Sequence, residues 1–240
     1  MTGRQINTVI YPLDFSEYLE FRNVRIDRSE SYILENETDK YLNIGGYPEQ
    51  ILSPSDEYLS SLLEDIFARD LGRIYPIRNP LVVRDLYKLI AAGVGSRTSF
   101  NKLANVLGLS LDTIKDYVGY FEASFLVGKL EQWSTSYTKR AYGPKKIYLL
   151  DNGMKTLLTG NGDLGAKAES AVYWKLKKIT DRLGYSVENN KEIDFVWEKG
   201  RIEVKYTSEK KKVENPVCLT VTKNLEGKNL IPLWQFLLDY

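Results

Sequence analysis

Histidine is absent from the 240 residues, and cysteine occurs once, as Cys218. The first absence excludes zinc sites with histidine ligands, Ser-His-Asp triads and imidazole bases. Catalysis in such a chain must run on carboxylates, lysine, tyrosine or a hard metal ion held by oxygens. A lone cysteine excludes an internal disulfide and fits a reducing cytoplasm. No apolar run approaches the roughly 18 residues of a membrane span. The opening Met1-Thr2-Gly3-Arg4-Gln5 leads straight into a strand-like segment and does not read as a signal peptide. A cytoplasmic protein with no membrane partner is therefore expected. A phosphate-binding GxxxxGK[ST] loop is missing too. Gly45-Gly46 lacks its lysine and its following helix cap, so it reads as a turn, and no nucleotide-binding residue is assigned.

What is present is unevenly charged. Residues 1–79 carry 8 Lys and Arg against 14 Asp and Glu, a net of −6, whereas residues 80–240 carry 25 against 18, a net of +7. Either this is ordinary scatter between domains, or the second part faces a polyanion and the first does not.

Asn7 to Tyr11 reads as a strand stopped by Pro12, and Ser16 to Phe21 as a short helix with Asp14 and Glu17 at capping-box spacing. Tyr58 to Leu71 has helical spacing, with Leu59, Leu62, Leu63, Ile66 and Phe67 on one face. Three segments here carry a resemblance: Thr2-Gly3-Arg4, then Tyr11-Pro12-Leu13-Asp14-Phe15-Ser16-Glu17-Tyr18-Leu19, then Gly45-Gly46-Tyr47-Pro48-Glu49. Together they resemble the second half of a family of prokaryotic AAA-type ATPases, where such segments close the ATPase core and form its helical lid. The resemblance continues through nearly all of the chain but lacks the Walker A and Walker B front. It implies a C-terminal half that neither binds nor hydrolyses ATP alone, and residues 1–78 as a remnant of the core and lid.

Residues 79–150 read as a winged helix-turn-helix. Leu81 to Ala92 forms one helix, Ser99 to Leu107 a second closed by Gly108, and Ser110 caps a third from Leu111 to about Phe125. Val127 to Trp133 and Lys145 to Leu149 read as wing strands around a basic, polar loop. DNA contact would then fall to Thr113 and Lys115 on the third helix, and to Lys139, Arg140, Lys145 and Lys146 on the wing. Against this, the third helix also carries Asp112, Asp116 and Glu122, a poor electrostatic fit to phosphate. Winged helices also dock proteins.

In residues 151–240 a long helix from Asp163 to about Leu183 precedes a strand at Gly184 to Asn189. Glu192 to Trp197 and Arg201 to Tyr206 then alternate as a hairpin around Glu198-Lys199-Gly200. The apolar phase holds Ile193, Phe195 and Trp197, then Ile202, Val204 and Tyr206. The opposite phase holds Asp194, Glu203 and Lys205. Asn215 to Val221 and Ile231 to Leu238 follow as a further strand and a final apolar segment. Asp194 followed by Glu203-Val204-Lys205 on paired strands, with Glu169 on an upstream helix, resembles the PD-(D/E)xK nuclease superfamily. The resemblance implies Glu169, Asp194, Glu203 and Lys205 as catalytic residues. It implies Mg²⁺ held by Asp194, Glu203 and the Val204 carbonyl, with Lys205 beside an attacking water. The bland reading of the same residues is a solvated ion-pair ladder on a sheet face. Lys210, Lys211 and Lys212 follow the hairpin where a phosphate backbone would pass.

The expected architecture is thus an α+β to α/β multidomain chain: a helical lid remnant, a winged helix, and a restriction-endonuclease-like mixed core. Two functions stand. One is a nucleic-acid-associated module whose Mg²⁺-dependent core hydrolyses DNA phosphodiesters. The other is a non-catalytic module that docks a separately encoded ATPase half, another protein, or its own copies.

Overall fold

The alternation of Glu192 to Tyr206 builds the centre of the molecule. The computed structural model describes residues 9–77, 79–188, 191–213, 216 and 218–240. Thr2-Gly3-Arg4, Asn7 and Thr8 lie outside these, as do Asn189, Asn215 and Val217 of the expected strands. The strands are β1 (Val127–Gln132), β2 (Lys146–Leu149), β3 (Gly184–Glu188), β4 (Lys191–Trp197), β5 (Gly200–Lys205), β6 (Leu219–Thr222) and β7 (Leu230–Pro232). They form one mixed sheet in the order β2-β1-β3-β4-β5-β6-β7. β3, β4 and β5 are an antiparallel meander, and β6 and β7 add in parallel beyond β5.

Before β1 come the helices α1 (Phe15–Phe21), α2 (Ser31–Ile44), α3 (Pro48–Leu52), α4 (Asp56–Asp65), α5 (Gly72–Ile74), α6 (Pro80–Ala92), α7 (Phe100–Leu107) and α8 (Leu111–Ala123). A π-helical turn at Ile66–Leu71 joins α4 to α5. Between and after the strands lie α9 (Tyr137–Tyr142), α10 (Asn152–Thr159), α11 (Leu164–Ile179) and α12 (Leu233–Asp239). Local chemistry sets their starts. Asp14 and Glu17 close a reciprocal capping box on α1. Asn79 accepts from Leu81 and Val82 ahead of Pro80, and Ser99 and Ser110 cap α7 and α8. Gly108, at φ +65°, ends α7 in the left-handed conformation. No helix among the described residues is long and apolar enough to cross a membrane.

Three expectations are corrected. Val9 to Tyr11 pairs with no strand among the described residues, and Ile10 is 89% exposed. The loop between β1 and β2 holds the helix α9. That hairpin is not a separate ribbon either: β1 runs on to pair in parallel with β3 through Glu131–Gly184 and Gln132–Tyr185. One apolar core accordingly runs from Phe15 and Leu59 through Leu86 and Phe121 to Phe195 and Leu237. It joins all three expected segments.

A fourth correction bears on the site. Between β3 and β4 the register steps from Gly184–Val196 to Ser186–Ile193, so β4 carries one extra residue at Asp194-Phe195. Such a bulge resets which face each later side chain takes. Ile193 and Val196 therefore share one face with Cys218 and Trp133. Phe195 turns to the other, 5.9 Å from the Tyr148 ring and 6.4 Å from that of Tyr173. Ile193 and Phe195 do not share a face as simple alternation requires.

Candidate functional site: a lysine within three carboxylates

The helix α11 fixes one side of the site. Asp163 caps it, and Ser170 Oγ and Trp174 Nε1 both donate to the Leu149 carbonyl, at 3.4 and 2.6 Å, which pins α11 across the end of β2. Glu169 is thereby aimed at the two side chains that β2 presents on that face, Lys146 and Tyr148, two residues apart on the strand. Lys146 Nζ lies 2.9 Å from Glu169 Oε1, and the Tyr148 hydroxyl donates to the same oxygen at 2.7 Å. Gly95, at φ +77°, backs the carboxylate so closely that a Cβ there would sit 3.1 Å from either oxygen.

β4 supplies the other side. Glu192 Oε1 lies 2.6 Å and Asp194 Oδ1 2.8 Å from Lys146 Nζ. The second oxygen of Glu192 takes Arg97 at 2.8 Å, and that of Asp194 accepts the Val204 N–H at 2.9 Å. Three carboxylates thus surround one ammonium whose side chain is 1% exposed. Burial alone would depress the Lys146 pKa, but Asp194, Glu169 and Glu192 outweigh it and leave it raised. Burial and the neighbouring Asp194 push the Glu169 carboxyl upward, against the opposing pull of Lys146 and Tyr148.

The four residues expected to be catalytic fall into two contact groups. Glu169 and Asp194 are gathered around Lys146. Glu203 pairs at 2.9 Å with Lys205, whose side chain is 47% exposed. Burial lowers the Lys205 pKa, yet Glu203, with Asp194 and Glu169 behind it, raises it on balance. The two groups therefore adjoin electrostatically at one end of β4 and β5.

The expected Mg²⁺ does not fit this donor set as it stands. Both Asp194 oxygens are engaged, the ammonium fills the space between the carboxylates, and Glu203 is turned to Lys205. Among the described residues no three metal-ligating side chains are grouped to hold an ion. The expected set of Asp194, Glu203 and the Val204 carbonyl is replaced by an internal ion-pair cluster.

The expected DNA contacts are also redistributed. Lys146 is the buried centre of the site, not a wing cation. Lys145 is buried as well: its Nζ donates to the Arg140 carbonyl and lies 3.4 Å from Glu131. Neither can reach a phosphate. Thr113 bonds to Ser110, which caps α8, and Lys115 pairs with Asp112 at 3.0 Å. Lys139, beside exposed Tyr137 and Tyr142, remains on the surface of α9, with Arg140 half-buried. Lys210, Lys211 and Lys212 form an exposed 3₁₀ turn, in which Lys212 pairs with Glu209 at 2.7 Å. Lys146, Tyr148, Glu192 and Arg97 were not assigned to the site from sequence. The only signal was a Lys-x-Tyr step in β2 facing a Glu-x-Asp step in β4.

The fold and site define a mixed α/β protein with a lysine enclosed by carboxylates at one end of a seven-stranded sheet. The family described as "Domain of unknown function (DUF8612)" matches residues 35–165, and the chain belongs to it. Among curated proteins, the uncharacterized protein MJ1544 of Methanocaldococcus jannaschii is 29% identical over 213 residues, covering 82% of this chain and 48% of its own length. An uncharacterized protein of Haemophilus influenzae is 26% identical over 210 residues, covering 82% of this chain and 51% of its own. A second M. jannaschii protein, MJ1637, is 25% identical over 220 residues, covering 78% of this chain and 46% of its own. The chain spans about half the length of these curated relatives. No solved structure matches.

Proposed function

We propose that this chain is the non-hydrolytic, interacting half of an AAA-type ATPase, a winged helix joined to a nuclease-like core, and that it docks the ATPase half. The order α6, α7, α8 and then the β1–β2 hairpin supports the winged helix. The order α11, β3, β4, β5 and then β6 parallel to β5 supports the nuclease-like core. The observation that carries docking is the segment Val9-Ile10-Tyr11. These are strand-forming residues, exposed and without a strand beside them among the described residues. An open sheet in the ATPase half is the occupant this edge suits, and the relatives' greater length is where such a half would lie.

The test mixes the chain with the part of MJ1544 that it does not match and measures the complex by sedimentation. A one-to-one complex is expected with the wild type and with Ile10→Val, and its loss with Ile10→Asp. No complex, or one indifferent to Ile10→Asp, refutes docking. A second reading, a metal-dependent DNA endonuclease, draws on the bulge that brings Asp194 to Glu169 near Lys205. Plasmid, single-stranded and branched DNA with Mg²⁺ or Mn²⁺ decide it. No cleavage is expected, and cleavage abolished by Glu203→Ala and Lys205→Ala would reverse the choice.

A further inference from the structure

An ammonium group has three N–H donors and no acceptor. Lys146 donates to carboxylate oxygens of Asp194 at 2.8 Å and Glu169 at 2.9 Å, and its Nζ lies within ion-pair distance of a third, 2.6 Å from Glu192. With its side chain 1% exposed and three carboxylates around it, the ammonium is turned away from any phosphate at the surface. Hard oxygens converging on one point, with an outer ring of Arg97, Tyr148 and the Val204 N–H orienting them, is the way proteins arrange ligands around a divalent cation. Here the central charge is covalently attached to β2.

We propose that Lys146 is a tethered cation that takes the place of a divalent metal ion between Glu169, Glu192 and Asp194, so that removing its charge turns a metal-refusing site into a metal-binding one. The inference rests on reading α11 and β3 to β6 as a nuclease-like core and is independent of docking. A tethered ligand competes at an effective concentration that a dilute ion does not match. The lysine side chain is also almost fully buried, so its ammonium is held within the cluster and away from solvent. Lys146→Met keeps most of the stem's volume and deletes the charge. It leaves three carboxylates near one another, offset by Arg97, Tyr148, the Val204 N–H and the half-exposed Lys205 beyond, and like charges at this range favour a bound cation.

The experiment compares wild type, Lys146→Arg, Lys146→Met and Lys146→Met/Asp194→Asn by Mn²⁺ titration calorimetry and by melting with and without millimolar Mn²⁺. Wild type and Lys146→Arg are expected to show no saturable heat and no shift in melting temperature. Lys146→Met is expected to bind Mn²⁺ and melt several degrees higher in its presence. Its Mn²⁺ affinity should fall roughly 10- to 100-fold when Asp194 is also replaced. If Lys146→Met does not fold in chelator, recovery of its native circular dichroism on adding Mn²⁺ supports the proposal, and no recovery overturns it. The proposal also falls if wild type binds Mn²⁺ in a manner that Asp194→Asn abolishes, or if folded Lys146→Met ignores the ion. Failure of docking with this metal response intact would sink the docking reading alone.

Discussion

Asp151 ties the acidic N-terminal helices to the sheet, and its removal has a magnitude that can be worked out. Its carboxylate caps α10, accepting from Gly153 N–H at 2.7 Å and Met154 N–H at 3.3 Å. It also reaches across the fold to accept from Gly46 N–H at 2.6 Å. Losing a helix cap costs about 0.5–2 kcal/mol, and leaving the buried Gly46 N–H without a partner costs about 1–3 kcal/mol. Asp151→Ala should therefore cost about 2–5 kcal/mol at pH 7, a fall in melting temperature of roughly 5–15 °C for a chain this long. Burial pushes the Asp151 carboxyl from 3.8 up to about 6, against the pull of its three N–H donors. A raised carboxyl pKa means that the folded state binds the proton more tightly than the unfolded state. Its contribution to stability is fully present below the unfolded value and is lost as pH rises through about 6. At 1.36 kcal/mol per unit the difference amounts to about 3 kcal/mol. The deficit of Asp151→Ala relative to wild type should therefore widen as pH falls from 7 towards 4. Urea denaturation of both proteins across that range measures it, with the slope of the transition as a check on the unfolded state. A deficit below about 1 kcal/mol at pH 7, or one that does not change with pH, refutes the account.

Two further predictions concern backbone geometry. Gly45 sits at φ +84°, and a Cβ there would lie 2.2 Å from Asp151 Oδ1, so Gly45→Ala should cost about 2 kcal/mol or more in urea melts. A loss smaller than that of an ordinary surface substitution counts against the turn. The bulge predicts an order of costs in β4. Phe195→Ala, which strips the ring packed on Tyr148 and Tyr173, should cost about 3–5 kcal/mol. Ile193→Ala should cost less, because Ile193 belongs to a small group with Val196, Cys218 and Trp133. The reverse order of midpoints would show that the two residues share a face after all.

Much of the fold was legible because it is written in local signals. Asp14 with Glu17, Asn79-Pro80, Ser99 and Ser110 each satisfy the first N–H groups of a helix. Gly108 accepts a conformation that other residues resist, and those helices start and stop close to where the residues said. The helices α2 and α10 were missed, and both lean on tertiary support. α2 has no side-chain cap and buries polar Glu37 and Thr38 along with its leucines. α10 follows a strand directly, and its cap, Asp151, also serves Gly46, 105 residues away.

The site was legible as a list of residues but not as an arrangement. Glu169 and Asp194 do come together on one side of the sheet, as a helix glutamate and a strand aspartate. Two things the pattern could not carry decide what they do there. One is the extra residue in β4, invisible to a period-two reading because its only trace is the pairing with β3. The other is the burial of Lys146. By sequence it was one of several cations on a basic wing, and alternation on so short a strand does not say which face is inside. The parallel pairing of β1 with β3 joins the β1–β2 hairpin to the sheet, and Lys146 lies inward between Glu169, Glu192 and Asp194. A charge that looked available to a phosphate backbone neutralises the carboxylates that looked available to a metal. Both expectations meet at this one cluster because the β1–β2 hairpin and the strands β3 to β5 share a sheet.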